Sequence, residues 1–310
     1  METKKLFTML LAATALCACS SGGDGTPETP VDPPTPETPD KMAINISTTL
    51  TQPDGTRVTD YAFEKGDRIG LYVVNRQADG NAAALRPTGN HVDNMLFSYN
   101  ATWTPATPIY WLDDKTHADF YLYYPYTADV TNVEAMPFAV KADQSAEDSY
   151  KASDLLLGSA ADIAPTETAV SIVAKHAMSQ MLITLVPGNG FTEETLAAAS
   201  VGVKVNNIVT GATVNIAKGT VTATGAAETV TPLKTGGFSY KALIVPQTVA
   251  EGSLITVNVD GRDFNLPKAF TFESGHLHRF TVTLSKTSNG INVSIDRWQD
   301  DGTDNGGTAE

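Results

Sequence analysis

The chain has 310 residues, enough for two ordinary domains that each bury a core of their own. Its 21 Lys and Arg stand against 35 Asp and Glu, a formal charge of -14, and a field of that sign repels phosphate backbones and anionic headgroups, which argues against nucleic acid as a partner. Thr, Val, Gly and Ala are abundant and Leu/Glu/Lys-rich runs are scarce, so an all-β body is expected.

Residues 1–18 read as a signal peptide: a short start with Lys4 and Lys5, then an apolar stretch from Leu6 to Leu16 that is too short to span a bilayer. Leu16-Cys17-Ala18-Cys19 is a lipobox pattern. Cys19 is the expected lipidation site, because the small Ala18 precedes it, whereas Cys17 follows a bulky Leu. A disulfide or metal pair of the two thiols is the competing reading, but no third ligand lies nearby and cleavage falls between them. Diacylation of Cys19, with a further palmitate-type chain on its amine, exceeds the two-signal threshold for stable anchoring.

Residues 19–41 carry six prolines and almost no apolar side chains, which predicts an extended, semi-rigid tether. From Met42 the pattern alternates. Met42, Ile44, Ile46 and Thr48 fall on one face of a first strand over Met42 to Leu50, followed by the turn residues Pro53-Asp54-Gly55. Further strands are expected at Arg68–Val74, Met95–Tyr99, Ala118–Tyr124, Val170–Val173 and Gln180–Val186.

Pro187-Gly188-Asn189-Gly190 is a break, and the short helix expected over Thr192–Ala199 has Thr192 as its cap. The boundary between a 42–188 and a 189–298 sandwich is placed here. The second half repeats the strand pattern at Gly202–Val205, Ala212–Ile216, Lys241–Val245, Leu254–Val259, His278–Leu284 and Gly290–Ile295, the last two forming a hairpin about Ser288-Asn289-Gly290. Residues 299–310 are a polar tail.

No nucleophile elbow, phosphate-binding glycine loop, zinc-protease helix or paired-cysteine zinc site is present, so no catalytic residue, cofactor or metal is expected. His276 and His278 stand two apart, which would suit a metal with a third ligand, but solvated strand-edge histidines are the simpler reading. Asp300, Asp301 and Asp304 come nearest to a calcium loop without forming one. Trp103, Tyr110, Trp111 and the run Phe120–Tyr126 are a concentrated aromatic region. An exposed ring platform there would make the chain a surface glycan-binding lipoprotein. Strand periodicity sets Tyr121 and Tyr123 on one face and Phe120, Leu122 and Tyr124 on the other, one of which must be core.

Several segments in order resemble the fimbrillins, subunits of type V pili on Gram-negative bacteria. They are Phe63–Tyr72, Ala118–Tyr126, Asp154–Gly158, His176–Met181, Val245–Thr248 and the closing Ile295-Asp296-Arg297-Trp298. The resemblance implies two tandem transthyretin-like (Greek-key type) β-sandwich domains, export as an outer-membrane lipoprotein, a place in a cell-surface fimbrium and no catalysis. It also implies cleavage after an Arg near the N-terminus, which removes the lipid and the first strand, and repair of the groove by a strand from another subunit. Arg57 is the best-placed cleavage site. Met42, Ile44 and Ile46 mark the removable strand, and Ile291, Val293 and Ile295 alternate as a donor strand requires, a phase from which Trp298 departs.

Overall fold

The structure is a computed structural model and describes residues 41–51, 62–286 and 292–294. Among them the chain forms, in order, β1 (Ile46–Leu50), β2 (Arg68–Asn75), β3 (Val92–Asn100), β4 (Thr102–Pro105), β5 (Ala118–Tyr124), β6 (Met136–Ala139), α1 (Glu147–Lys151), β7 (Leu156–Ile163), β8 (Val170–His176) and β9 (Ser179–Pro187). It continues with α2 (Glu193–Ala198), β10 (Val201–Val209), β11 (Gly211–Asn215), β12 (Thr220–Ala223), β13 (Ala227–Val230), β14 (Leu233–Gly236) and β15 (Ser239–Ile244). The last strands are β16 (Gln247–Val249), β17 (Ser253–Val259), β18 (Arg262–Pro267), β19 (Phe270–Phe272), β20 (Leu277–Leu284) and β21 (Asn292–Ser294). The protein is all-β, as its composition predicts.

The first large sheet has the order β1-β8-β7-β5-β2-β3-β4. Only the β1–β8 pair in it is parallel. The sheet curls until its two edge strands meet, and the Trp103 indole N–H of β4 donates to Thr48 Oγ1 of β1 at 2.9 Å. Ile44, Ile46, Leu71, Phe97, Trp103, Phe120, Leu122 and Ile172 fill the interior of the curl. The outer face is buried too. Tyr72, Tyr123 and Leu157 pack there with Val214, Leu243 and Val245 from later in the chain, so β5 is a central strand with core on both faces, not on the one face that alternation alone requires.

A five-stranded sheet, β14-β15-β9-β20-β21, and a four-stranded sheet, β13-β10-β17-β18, enclose another core, with Ile183, Val205, Ile255, Phe264 and Phe280 among its members. Leu196 of α2 closes one end of it. That helix starts as its sequence predicts: Thr192 Oγ1 accepts from the Thr195 N–H, and Thr195 Oγ1 accepts from the Thr192 N–H. The break at Pro187 to Gly190 ends a strand, but hydrogen bonding does not divide there. β9 lies between β15 and β20, and β6 pairs with β11 in a three-stranded sheet with β12. The buried side chain of Gln144 stitches across the same division: Nε2 donates to the Leu243 carbonyl at 2.8 Å, and Oε1 accepts from the Leu243 N–H at 2.8 Å.

Candidate functional site

The feature with functional consequence is the segment from Met42 to Thr51. Alternation predicts one strand over Met42 to Leu50, but the structure divides it into two pieces with different partners. Ahead of β1, Ala43 forms an antiparallel bridge with Tyr110. There the Ile44 N–H donates to the Ile109 carbonyl and the Trp111 N–H to the Met42 carbonyl, both at 2.9 Å. β1 then runs parallel to β8, with Ile46 opposite Val170 and Leu50 opposite Ala174. At its ends the Val170 N–H donates to Asn45 at 2.8 Å and the Thr51 N–H to Ala174 at 3.0 Å.

The inward face of this segment behaves as its alternation predicts. Ile44 and Ile46 are buried, Thr48 and Leu50 are half-buried, and Ser47 and Thr49 are exposed. The first strand is therefore an edge rung that seals the curl between β8 and β4. Burying the two isoleucines stabilises it by about 3–6 kcal/mol in total, and the Thr48–Trp103 bond adds about 1 kcal/mol. Without the rung, Trp103, Val170 and Ile172 would line an open apolar groove. Such a groove would carry unpaired main-chain groups along β8, the arrangement that accepts an added strand.

The two indoles of the aromatic region are internal, while Tyr110 beside them is 39% exposed. Trp103 is 8% exposed and Trp111 4%. Trp103 lies 4.9 Å from the Phe63 ring and 5.0 Å from the Tyr99 ring. The Trp111 indole donates to the Thr166 carbonyl at 3.2 Å and packs edge-on against Phe120. This corrects the glycan-platform alternative, because both indoles seal the core beside the first strand and offer no exposed face. Burial pushes the Tyr124 phenol above its ordinary range, and Asp67 and Asp154 nearby push it the same way. Burial also raises Tyr72, to about 12.

Of the histidine pair, His276 is solvated as expected and His278 is not. His276 precedes β20 and is exposed, whereas His278 on β20 is 8% exposed. His278 Nε2 accepts from the Glu273 N–H, and its ring packs on Phe270.

Several sequence-derived site residues, Cys19, Arg57, Ile291 and Ile295, lie outside the described residues. So do the turns Pro53-Asp54-Gly55 and Ser288-Asn289-Gly290, and the acidic residues Asp300, Asp301 and Asp304. Val293 falls on β21, which pairs antiparallel with β20 at the end of the five-stranded sheet. Sequence reasoning missed the Ile109–Trp111 clasp and the Trp103–Thr48 contact, whose partners are 55 residues apart in the chain and leave no local signal.

A family model described as fimbrillin-like matches residues 56–298. A fimbrium subunit, Fim1C, of Bacteroides uniformis is 28% identical over 316 residues, covering 96% of each chain. A fimbrium tip subunit of Bacteroides ovatus is 26% identical over 202 residues, 60% of this chain and 36% of that one. Among solved structures, a cell adhesion protein from Bacteroides ovatus superposes with a TM-score of 0.66 at 17% identity, over 83% of this chain and 96% of that one. One from Bacteroides uniformis gives 0.62 at 23% identity, over 84% and 99%. With a fold shared with these proteins and a family match over most of its length, the chain belongs to the fimbrillin-like family.

Proposed function

We propose that the protein is a structural subunit of a cell-surface fimbrium, exported as an outer-membrane lipoprotein precursor and built into the fibre by strand addition. Its partners are then other pilus subunits, copies of itself or relatives, and, before processing, the outer membrane through acylated Cys19. Cleavage after Arg57 frees the segment Met42 to Leu50. The edge of Ile291, Val293 and Ile295 from another subunit takes its place, in a body of two tandem transthyretin-like sandwiches with no catalytic role. One observation carries this reading: the first strand is a single edge rung, parallel to β8, whose inward isoleucines plug an otherwise complete curled sheet. The fimbrium subunit from Bacteroides uniformis, alike over nearly its whole length, supports it.

Mass spectrometry of the N-terminus of the mature surface protein tests the proposal. A start at Val58 on assembled protein, lost together with assembly in Arg57→Ala, is the expected result. Assembled protein that retains Met42 to Leu50 behind an acylated Cys19 would overturn the excision step.

A further inference from the structure

A cleft of about 570 Å³ opens where β1 ends, a size typical of ligand sites. Thr51 stands at its edge, Leu157 and Val173 form apolar wall, and Ile216 and Lys218 face them from the turn after β11. Val173 is 47% exposed, a large branched side chain left open to solvent. Lys175 supplies a further cation, and neither it nor Lys218 has an ion-pair partner among the described residues. His176 also reaches the cleft, but its Nδ1 lies 2.9 Å from Asp154. No carboxylate is among the described lining residues, although acids outnumber bases 35 to 21 in the chain. The cleft thus pairs an exposed apolar side chain with two cations and no described carboxylate on an acidic protein.

Its position ties it to the groove. The last residue pair between the two strands is Leu50 with Ala174, and β8 runs on through Lys175 and His176. A strand that replaced β1 in the same direction and was longer would continue into the cleft. The candidate donor is followed by Asp296-Arg297-Trp298-Gln299-Asp300-Asp301. If Ile291 takes the place of Ile46, Asp296 arrives at the position of Thr51, with Trp298 two residues beyond. If Ile291 takes the place of Ile44, Trp298 itself arrives there. In both frames the strand period turns Ile291, Val293 and Ile295 inward and turns Asp296 and Trp298 to the opposite face, the one on which Thr51 lies.

We propose that this cleft receives Trp298 and the carboxylates around it from the subunit whose donor strand replaces β1. The inference rests on the strand-addition reading above. Val173 offers the indole apolar contact, the two ammonium groups meet its face and the neighbouring aspartates, and the out-of-phase Trp298 acquires a role. A buried aromatic anchor of this kind is where interface energy concentrates.

Cross-linking tests it, since the only cysteines are Cys17 and Cys19 and the excised subunit has none. Subunits carrying Val173→Cys and Trp298→Cys are treated with a trypsin-like protease, allowed to assemble, oxidised and run on non-reducing gels. Asp300→Cys with Lys218→Cys is a second pair that keeps the indole, and Trp298→Cys with Glu228→Cys is the control. The expected result is a disulfide ladder with the cleft pairs and not with the control. The joint change Lys175→Glu and Lys218→Glu should slow assembly about tenfold, as loss of steering charge does, and Asp300→Lys with Asp301→Lys should restore it. Polymers that form without cross-linking at either cleft pair, and at an unchanged rate in the lysine variant, overturn the cleft assignment and leave strand addition standing. Excised subunits that form no polymer at all overturn both.

Discussion

Replacing Ile46 by Ala tests whether the first strand is held by its inward face. Ile46 is 6% exposed and packs in the curl beside the buried Ile44. The truncation should cost about 2–3 kcal/mol, the lower part of the usual range for a buried isoleucine, because an edge strand can partly close the space. Thr49 stands on the exposed face of the same strand, so Thr49→Ala should stay within about 0.5 kcal/mol. Urea unfolding at constant slope, followed by tryptophan fluorescence, reads both values. The same loss should accelerate release of the strand after protease cleavage by about 30- to 150-fold, since about 1.4 kcal/mol corresponds to a factor of ten. If Ile46→Ala and Thr49→Ala have equal effects, the strand is not anchored by side-chain burial, and the groove argument fails with it.

Gly70→Ala should destabilise by about 3 kcal/mol, the upper part of the overpacking range. A methyl there would drive into the ring of Tyr123, which cannot swing away because its hydroxyl sits between two acceptors, Asn94 Oδ1 at 2.7 Å and the Thr127 carbonyl at 2.8 Å, and its one hydrogen is held between them. Denaturation of the single variant and of its combination with Tyr123→Leu should show the cost largely relieved in the double. Tyr72 bears on alkaline stability. Its folded phenol titrates near 12 and an unfolded one near about 10, so this contribution is intact below about pH 10 and is lost as pH rises toward 12. Tyr72→Phe should flatten that part of a urea-midpoint profile against pH. At pH 7 it should leave stability unchanged or higher by up to about 1 kcal/mol, because the buried hydroxyl has no hydrogen-bond partner among the described residues. Asp119→Ala should cost about 3 kcal/mol in the same assay, because the carboxylate accepts from Arg76 Nε at 2.9 Å and from the Asp162 N–H at 2.7 Å.

Much of this protein is determined by the local order of its residues. Alternation sufficed to set Ile44 and Ile46 inward, strand-forming composition to place β2, β5, β8, β9 and β17, and cap chemistry to start α2 at Thr192, because all three are properties of neighbouring residues. The same logic does not reach strands of three or four residues such as β12, β16 and β19, whose alternation is too brief to register. Nor does it reach pairing. That β1 lies parallel to β8 while Met42 and Ile44 bond instead to the Ile109–Trp111 loop, that Trp103 and Trp111 are internal, and that β5 is covered on both faces were decided by the curl of the sheet and by the later strands packed on its back. Each of these depends on partners tens of residues away. A strand's own side chains specify which of its faces is apolar, but not what will cover it.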